Sequence, residues 1–129
     1  MTRKLEHGAV WLADLNPRRG TESGKTRPVL IIQNQVLLDT GHPSTLVIPL
    51  TTRLIEDTAP LRLRVSARDR LERDSDLLTD QIRAIDNQRL VMGPLALLSE
   101  EEMLRIYPAL LEVMGIELNP GGSFSVHEV

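Results

Sequence analysis

Arg27 is held against Pro28 at the end of the polar loop Gly20-Thr21-Glu22-Ser23-Gly24-Lys25-Thr26, where it is well placed to meet an anion. Pro28 fixes its own φ and drives the residue before it towards an extended conformation. The arginine therefore opens the aliphatic run Val29-Leu30-Ile31-Ile32 on a backbone with little freedom. A planar guanidinium at the mouth of a glycine-punctuated loop suits a phosphate or a carboxylate. The same loop carries Glu22 and Lys25, and a structural ion pair in a surface hairpin is the competing reading of these three residues.

Other chemistry has few anchors. His7, His42 and His127 fall near the N-terminus, in an expected loop and in the tail, and no two have metal-ligand spacing. All three are expected to be exposed side chains. With no cysteine, disulfides and thiolate metal sites are excluded, which fits a reducing cytoplasm. No metal or other cofactor is expected. Asp14, Arg83 and Asp86 border expected strands and are read as ion pairs within the fold, whereas the arginines from Arg62 to Arg73 are read as a solvated face.

Charge is unevenly distributed. The net charge of −3 counts mildly against a nucleic-acid ligand, but residues 1–29 carry a balance of +3 and residues 98–129 one of −5. The basic charge gathers around the loop that holds Arg27. Trp11, Tyr107 and Phe124 are the aromatic residues, too few for a sequence-tolerant stacking platform. A nucleic-acid enzyme built on this chain would have to read a few bases by hydrogen bonds and charge.

The elements that must hold these residues are mostly strands. Residues 9–15 alternate, 28–33 and 45–50 are continuously aliphatic, 61–65 alternate again, and 76–86 read as a strand or strand pair. Short strands between turn signals indicate a barrel or sandwich. From Ser99 the pattern changes: Ser99 with Glu102 is a capping-box signature, and Met103, Leu104, Tyr107, Leu111 and Met114 recur at helical spacing. That stripe is expected to be core. Pro108 should kink or divide the helix, and Gly115 should stop it. One domain is expected over residues 1–118, followed by a disordered tail over 119–129. The N-terminus lacks the apolar segment of a signal peptide, and no apolar run is long enough to span a bilayer, so a cytoplasmic protein with no membrane partner is expected.

Four blocks occur in order: Gly8-Ala9-Val10-Trp11-Leu12-Ala13-Asp14-Leu15-Asn16-Pro17, then the stretch from Gly20 to Asn34, then Val47-Ile48-Pro49-Leu50-Thr51-Thr52, then the stretch from Asp74 to Asp86. In this order and at these separations they resemble the MazF/PemK (Kid) family, the toxins of bacterial type II toxin–antitoxin pairs. The resemblance runs from about Gly8 to about Gly115. It implies a mainly β fold with a C-terminal helix, the SH3-like β-barrel shared by MazF, PemK and CcdB toxins. It further implies a homodimer that cuts single-stranded RNA without a metal and is inhibited by a cognate antitoxin. Operator DNA would be met only through the antitoxin complex.

The resemblance places Arg27 and Thr51 at the active site, where the 2′-hydroxyl attacks the adjacent phosphate and leaves 2′,3′-cyclic phosphate and 5′-hydroxyl ends. A guanidinium and a hydroxyl fixed there would each stabilise the developing charge by roughly 3 kcal/mol. Arginine is a poor base at neutral pH, so another group must accept the proton, and Glu22 is the nearest carboxylate in sequence. A branch of the family uses a loop histidine, an arginine and an aspartate instead. Here Thr21 and Leu78 stand where the first two would be, and Asp80 matches the third. Asp80 and Gln81 become candidates for reading bases, with Thr21 and Lys25 as further RNA contacts. Asp74 and Ser75 match a family motif and equally suit a turn cap.

Two rival functions share the fold. Gyrase-poisoning relatives resemble one another in a Trp-Gly-Ile ending, whereas this chain ends Phe124-Ser125-Val126-His127-Glu128-Val129. An inactive barrel that only binds its antitoxin and regulates transcription is disfavoured by the presence of both Arg27 and Thr51.

Overall fold

The computed structural model describes residues 4–17, 19–22 and 25–126. Its strands are β1 (Ala9–Asp14), β2 (Thr26–Ile31), β3 (Ser44–Thr51), β4 (Arg62–Val65), β5 (Ser75–Leu78), β6 (Arg83–Asp86) and β7 (Leu90–Leu97). They form one antiparallel sheet in the order β4-β5-β3-β2-β1-β7, and β6 pairs with β3 beside β5. The stretch 76–86 is thus a strand pair in series along β3, divided by a 3-10 turn at Thr79–Gln81. The fold is the expected mainly β one, although strand pairing among the described residues does not close the barrel. The amide of Arg70, in the loop after β4, bridges the gap by donating to the Leu95 carbonyl of β7 at 2.9 Å.

Both faces of the sheet are apolar, which explains the unbroken aliphatic runs in β2 and β3. One core holds Val10, Leu30, Ile48, Leu50, Leu77 and Leu95 beneath the helix α2 (Glu100–Val113). The other holds Ala9, Trp11, Ala13, Val29, Ile31, Val47 and Ile85. β7 gives no clean alternation because Gly93-Pro94 interrupts it and its pairing with β1 shifts register. Gly93 is required there, since a Cβ would lie 2.4 Å from the Trp11 ring. The short helix α1 (Gln35–Asp39), capped by Asn34, has no sequence periodicity to announce it.

The capping box of α2 is present, with Ser99 and Glu102 bonded reciprocally. The helix runs undivided through Pro108, which lies on its exposed side, where water can meet the carbonyl that loses its amide partner. The buried stripe is Met103, Ile106, Ala109 and Leu110, whereas Leu104, Tyr107 and Met114 are exposed. The expected core stripe is therefore displaced around the helix. Leu104, Tyr107 and Leu111 instead line a groove of about 610 Å³ against a hairpin of β8 (Ile116–Leu118) and β9 (Phe124–Val126). Asn119 accepts from the Gly122 amide and donates to Ser123 and Ser125 to close the turn of that hairpin. His127 and the rest of the tail lie outside the described residues. Among the described residues no helix is long and apolar enough to cross a membrane.

Candidate functional site

Arg27 enters β2 opposite Ala13 of β1, and Val29 pairs with Pro49 of β3. Extending that register by two residues brings Arg27 level with Thr51, beyond the last paired residues Val29 and Pro49. Both are half-buried. The guanidinium reaches the Leu50 carbonyl with Nη1 at 3.5 Å, and Thr51 Oγ1 accepts from the Arg53 amide at 3.2 Å. Arg27 and Thr51, distant in sequence, thus lie on adjacent strands, with the guanidinium against the residue that precedes Thr51.

Thr51 pairs in turn with Asp76 of β5, and Asp76 with Arg64 of β4. Asp76 is a functional-site neighbour that the sequence reading missed. Its side chain is 2 % exposed, and its carboxylate accepts from Arg64 Nε at 2.7 Å, the Ile55 amide at 2.9 Å and Arg62 Nη1 at 3.4 Å. Burial opposes its charge, but the Ile55 amide and the two arginines more than offset this and hold the carboxyl below its ordinary value. The hydrogen bonds that Arg64 donates to Asp76 and Glu56 raise its guanidinium pKa further. Arg64 also meets Glu56 at 2.8 Å, and Arg62 donates to the Arg53 carbonyl at 2.8 Å. The expected solvated arginine face is thus, at Arg62 and Arg64, a tether for the loop that follows Thr51. Arg68 is likewise engaged, pairing with Glu102 of α2 at 2.5 Å. The signal that could have found this was an aspartate inside an otherwise apolar strand, facing a strand with arginines two apart.

The loop between β1 and β2 reaches across the sheet to the β5–β6 junction, where Gln81 Nε2 donates to the Thr21 carbonyl at 3.1 Å. Thr21, Glu22, Asp80, Gln81, Ile82 and Arg83 line one cavity of about 230 Å³ there. Four of the expected site residues, Thr21, Glu22, Asp80 and Gln81, are therefore assembled at one place. Lys25 is not among that lining. Its backbone, at φ 66°, closes the loop by donating to Asn16 Oδ1 at 2.8 Å and accepting from the Leu15 amide at 2.9 Å. Ser23 and Gly24 lie outside the described residues.

Several expected structural roles change. Asp14 and Asp86 accept from the Asn16 and Gln88 amides as turn caps and form no ion pair with another described residue, and Arg83 faces the cavity. Asp74 caps a turn by accepting from the Ala67 amide at 2.7 Å. His7 is not a free surface side chain: its ring meets the Gln33 carbonyl at 3.0 Å and Tyr107 Oη at 2.6 Å, fastening the N-terminal segment to α2. His42 is exposed. Among the described residues no three histidine or carboxylate side chains are grouped to hold a metal.

Residues 6–114 match the family described as PemK-like, MazF-like toxin of type II toxin–antitoxin system. Among solved structures, MazF of Deinococcus radiodurans aligns with a TM-score of 0.72 at 19% identity, covering 88% of this chain and 99% of that one. The Mycobacterium tuberculosis toxin MazF-mt6 aligns with a TM-score of 0.66 at 21% identity, covering 81% and 94%. An endoribonuclease in complex with its cognate antitoxin, from a mycobacterial species, gives 0.66 at 20% identity, covering 88% and 96%. At these identities the likeness is one of fold.

Proposed function

The chain belongs to the PemK-like, MazF-like toxin family, and on that premise we propose that it is a sequence-specific endoribonuclease that cuts single-stranded RNA. The observation that carries the reading is that Arg27 and Thr51 lie on the adjacent strands β2 and β3, with the Arg27 guanidinium reaching the carbonyl of Leu50 beside Thr51. Attack of a 2′-oxygen on the adjacent phosphorus forms the new P–O bond, builds negative charge on the phosphoryl oxygens and expels the 5′-oxygen. A guanidinium and a hydroxyl side by side stabilise that charge where it develops. Arg27 donates hydrogen bonds to the phosphoryl oxygens and does not serve as base, because a guanidinium stays protonated at neutral pH. Glu22, on the same loop, is the candidate acceptor for the 2′-hydroxyl proton. The products are a 2′,3′-cyclic phosphate and a 5′-hydroxyl, and no step is routed through a metal.

The proposed setting is cytoplasmic, with messenger RNA as substrate and growth arrest as consequence. A cognate antitoxin would cover the RNA groove with an acidic segment, since the basic charge of the chain gathers at residues 1–29. Two copies would form the working unit, and operator DNA would be reached only through the antitoxin complex. Incubating the purified protein with folded and unfolded RNA tests the reading: single strands should be cut and duplexes spared, because paired base edges cannot be read. Equal cutting of duplex RNA, or none of either, would contradict it.

A further inference from the structure

The cavity beneath the β1–β2 loop is lined by side chains of opposite charge. Asp80 on the 3-10 turn, Arg83 at the start of β6 and Glu22 on the loop all line it, yet no ion pair between described residues includes any of the three. Gln81 ties the loop to the cavity wall through the Thr21 carbonyl, and Ile82 supplies an apolar surface. At about 230 Å³ the space is smaller than the pockets that take drug-sized ligands, and is on the scale of one planar ring system.

A carboxylate only accepts hydrogen bonds and a guanidinium only donates them. A ring that bridges both must offer adjacent donors on one edge and adjacent acceptors on another. Guanine does so, with N1–H and N2–H on its pairing edge and O6 and N7 on the other. Adenine, cytosine and uracil each present a single donor group with no second donor beside it, which leaves a bidentate carboxylate half used. We propose that this cavity is a guanine-reading subsite, in which Asp80 accepts from N1–H and N2–H and Arg83 donates to O6 and N7. The proposal rests on the ribonuclease reading above and deepens it by naming a base. Asp80 and Arg83 sit at the β5–β6 junction, in a lining that includes neither Arg27 nor Thr51, so they fix which nucleotide sits near the cut, while Glu22 on the facing loop keeps its role as proton acceptor.

The test uses long single-stranded transcripts in which every guanosine is replaced either by inosine, which lacks the N2 amino group, or by 7-deazaguanosine, which lacks N7. Both cutting rate and equilibrium binding are measured. Wild-type protein should show guanosine at one constant position relative to each cut, and either replacement should weaken binding and cutting by about ten-fold or more. Asp80→Asn should lose the response to inosine and keep that to 7-deazaguanosine, and Arg83→Gln should do the reverse. Cutting with no constant guanosine, or with equal rates on all three transcripts, would overturn the subsite and leave the ribonuclease standing. Preferential binding of guanosine RNA without any cutting would overturn the ribonuclease and keep the subsite, and loss of both would overturn both. Because the transcripts are tested on the wild-type protein, the proposal does not depend on either variant folding.

Discussion

A guanidinium that stabilises charge only in the transition state reveals itself in turnover rather than in binding. Arg27→Ala should therefore lower single-turnover cleavage by about 10²-fold or more while RNA affinity changes little. Arg27→Lys should recover little, since lysine keeps the charge but loses the planar donor fork. Thr51→Ala should act in the same direction by a smaller factor. The neighbouring Asp76 belongs to a different class of effect, because it touches arginines and a loop amide rather than the reacting groups. Asp76→Asn leaves Arg62 and Arg64 short of a counter-charge and should cost about 2 kcal/mol in urea unfolding. An unchanged unfolding midpoint would show that the loop after Thr51 needs no such tether.

At the scale of the element, α2 is fastened to the sheet by its first turn. Glu102 caps the helix through the Ser99 amide and pairs with Arg68, which together lower its carboxyl from 4.5 to about 2. A carboxyl whose value falls on folding contributes stability that is complete above its unfolded value and disappears as pH drops through the folded one. Stability contributed by Glu102 should thus be present above about pH 4.5 and be lost between there and about pH 2. Glu102→Gln should flatten that part of the acid unfolding profile, and an unaltered profile would assign the acid sensitivity to another group.

The same helix shows what sequence can and cannot tell. The capping box was legible because Ser99 and Glu102 are three residues apart and act locally. The buried face was not, because α2 carries two apolar stripes. Only the tertiary fold decides that Met103 and Ile106 meet the sheet while Leu104 and Tyr107 meet the C-terminal hairpin. Arg27 stood out through the Pro28 that follows it, and Thr51 only through the family resemblance. The engagement of Arg64 by Asp76, and the turning of Arg83 into the cavity, depend on which strands lie next to one another, and no local pattern encodes that.

On the scale of the whole molecule, the open sheet leaves β7 paired to β1 alone, with Val91 and Leu97 more than half exposed. A sheet edge met by only the Arg70 amide, together with exposed apolar side chains, favours assembly, in keeping with the proposed homodimer. Sedimentation at micromolar concentration should give twice the mass of the 14.5 kDa chain, and a fully active monomer would contradict that arrangement.

The central claim is that Arg27 and Thr51 cut RNA by 2′-hydroxyl attack without a metal. It is tested most directly by mapping the 5′ ends that purified protein produces on a long single-stranded RNA in excess EDTA. Discrete cuts with 5′-hydroxyl and 2′,3′-cyclic phosphate ends are predicted, and they should vanish with folded Arg27→Ala protein. Cutting that stops in EDTA and returns with magnesium or manganese, or that persists undiminished in Arg27→Ala, would contradict the claim.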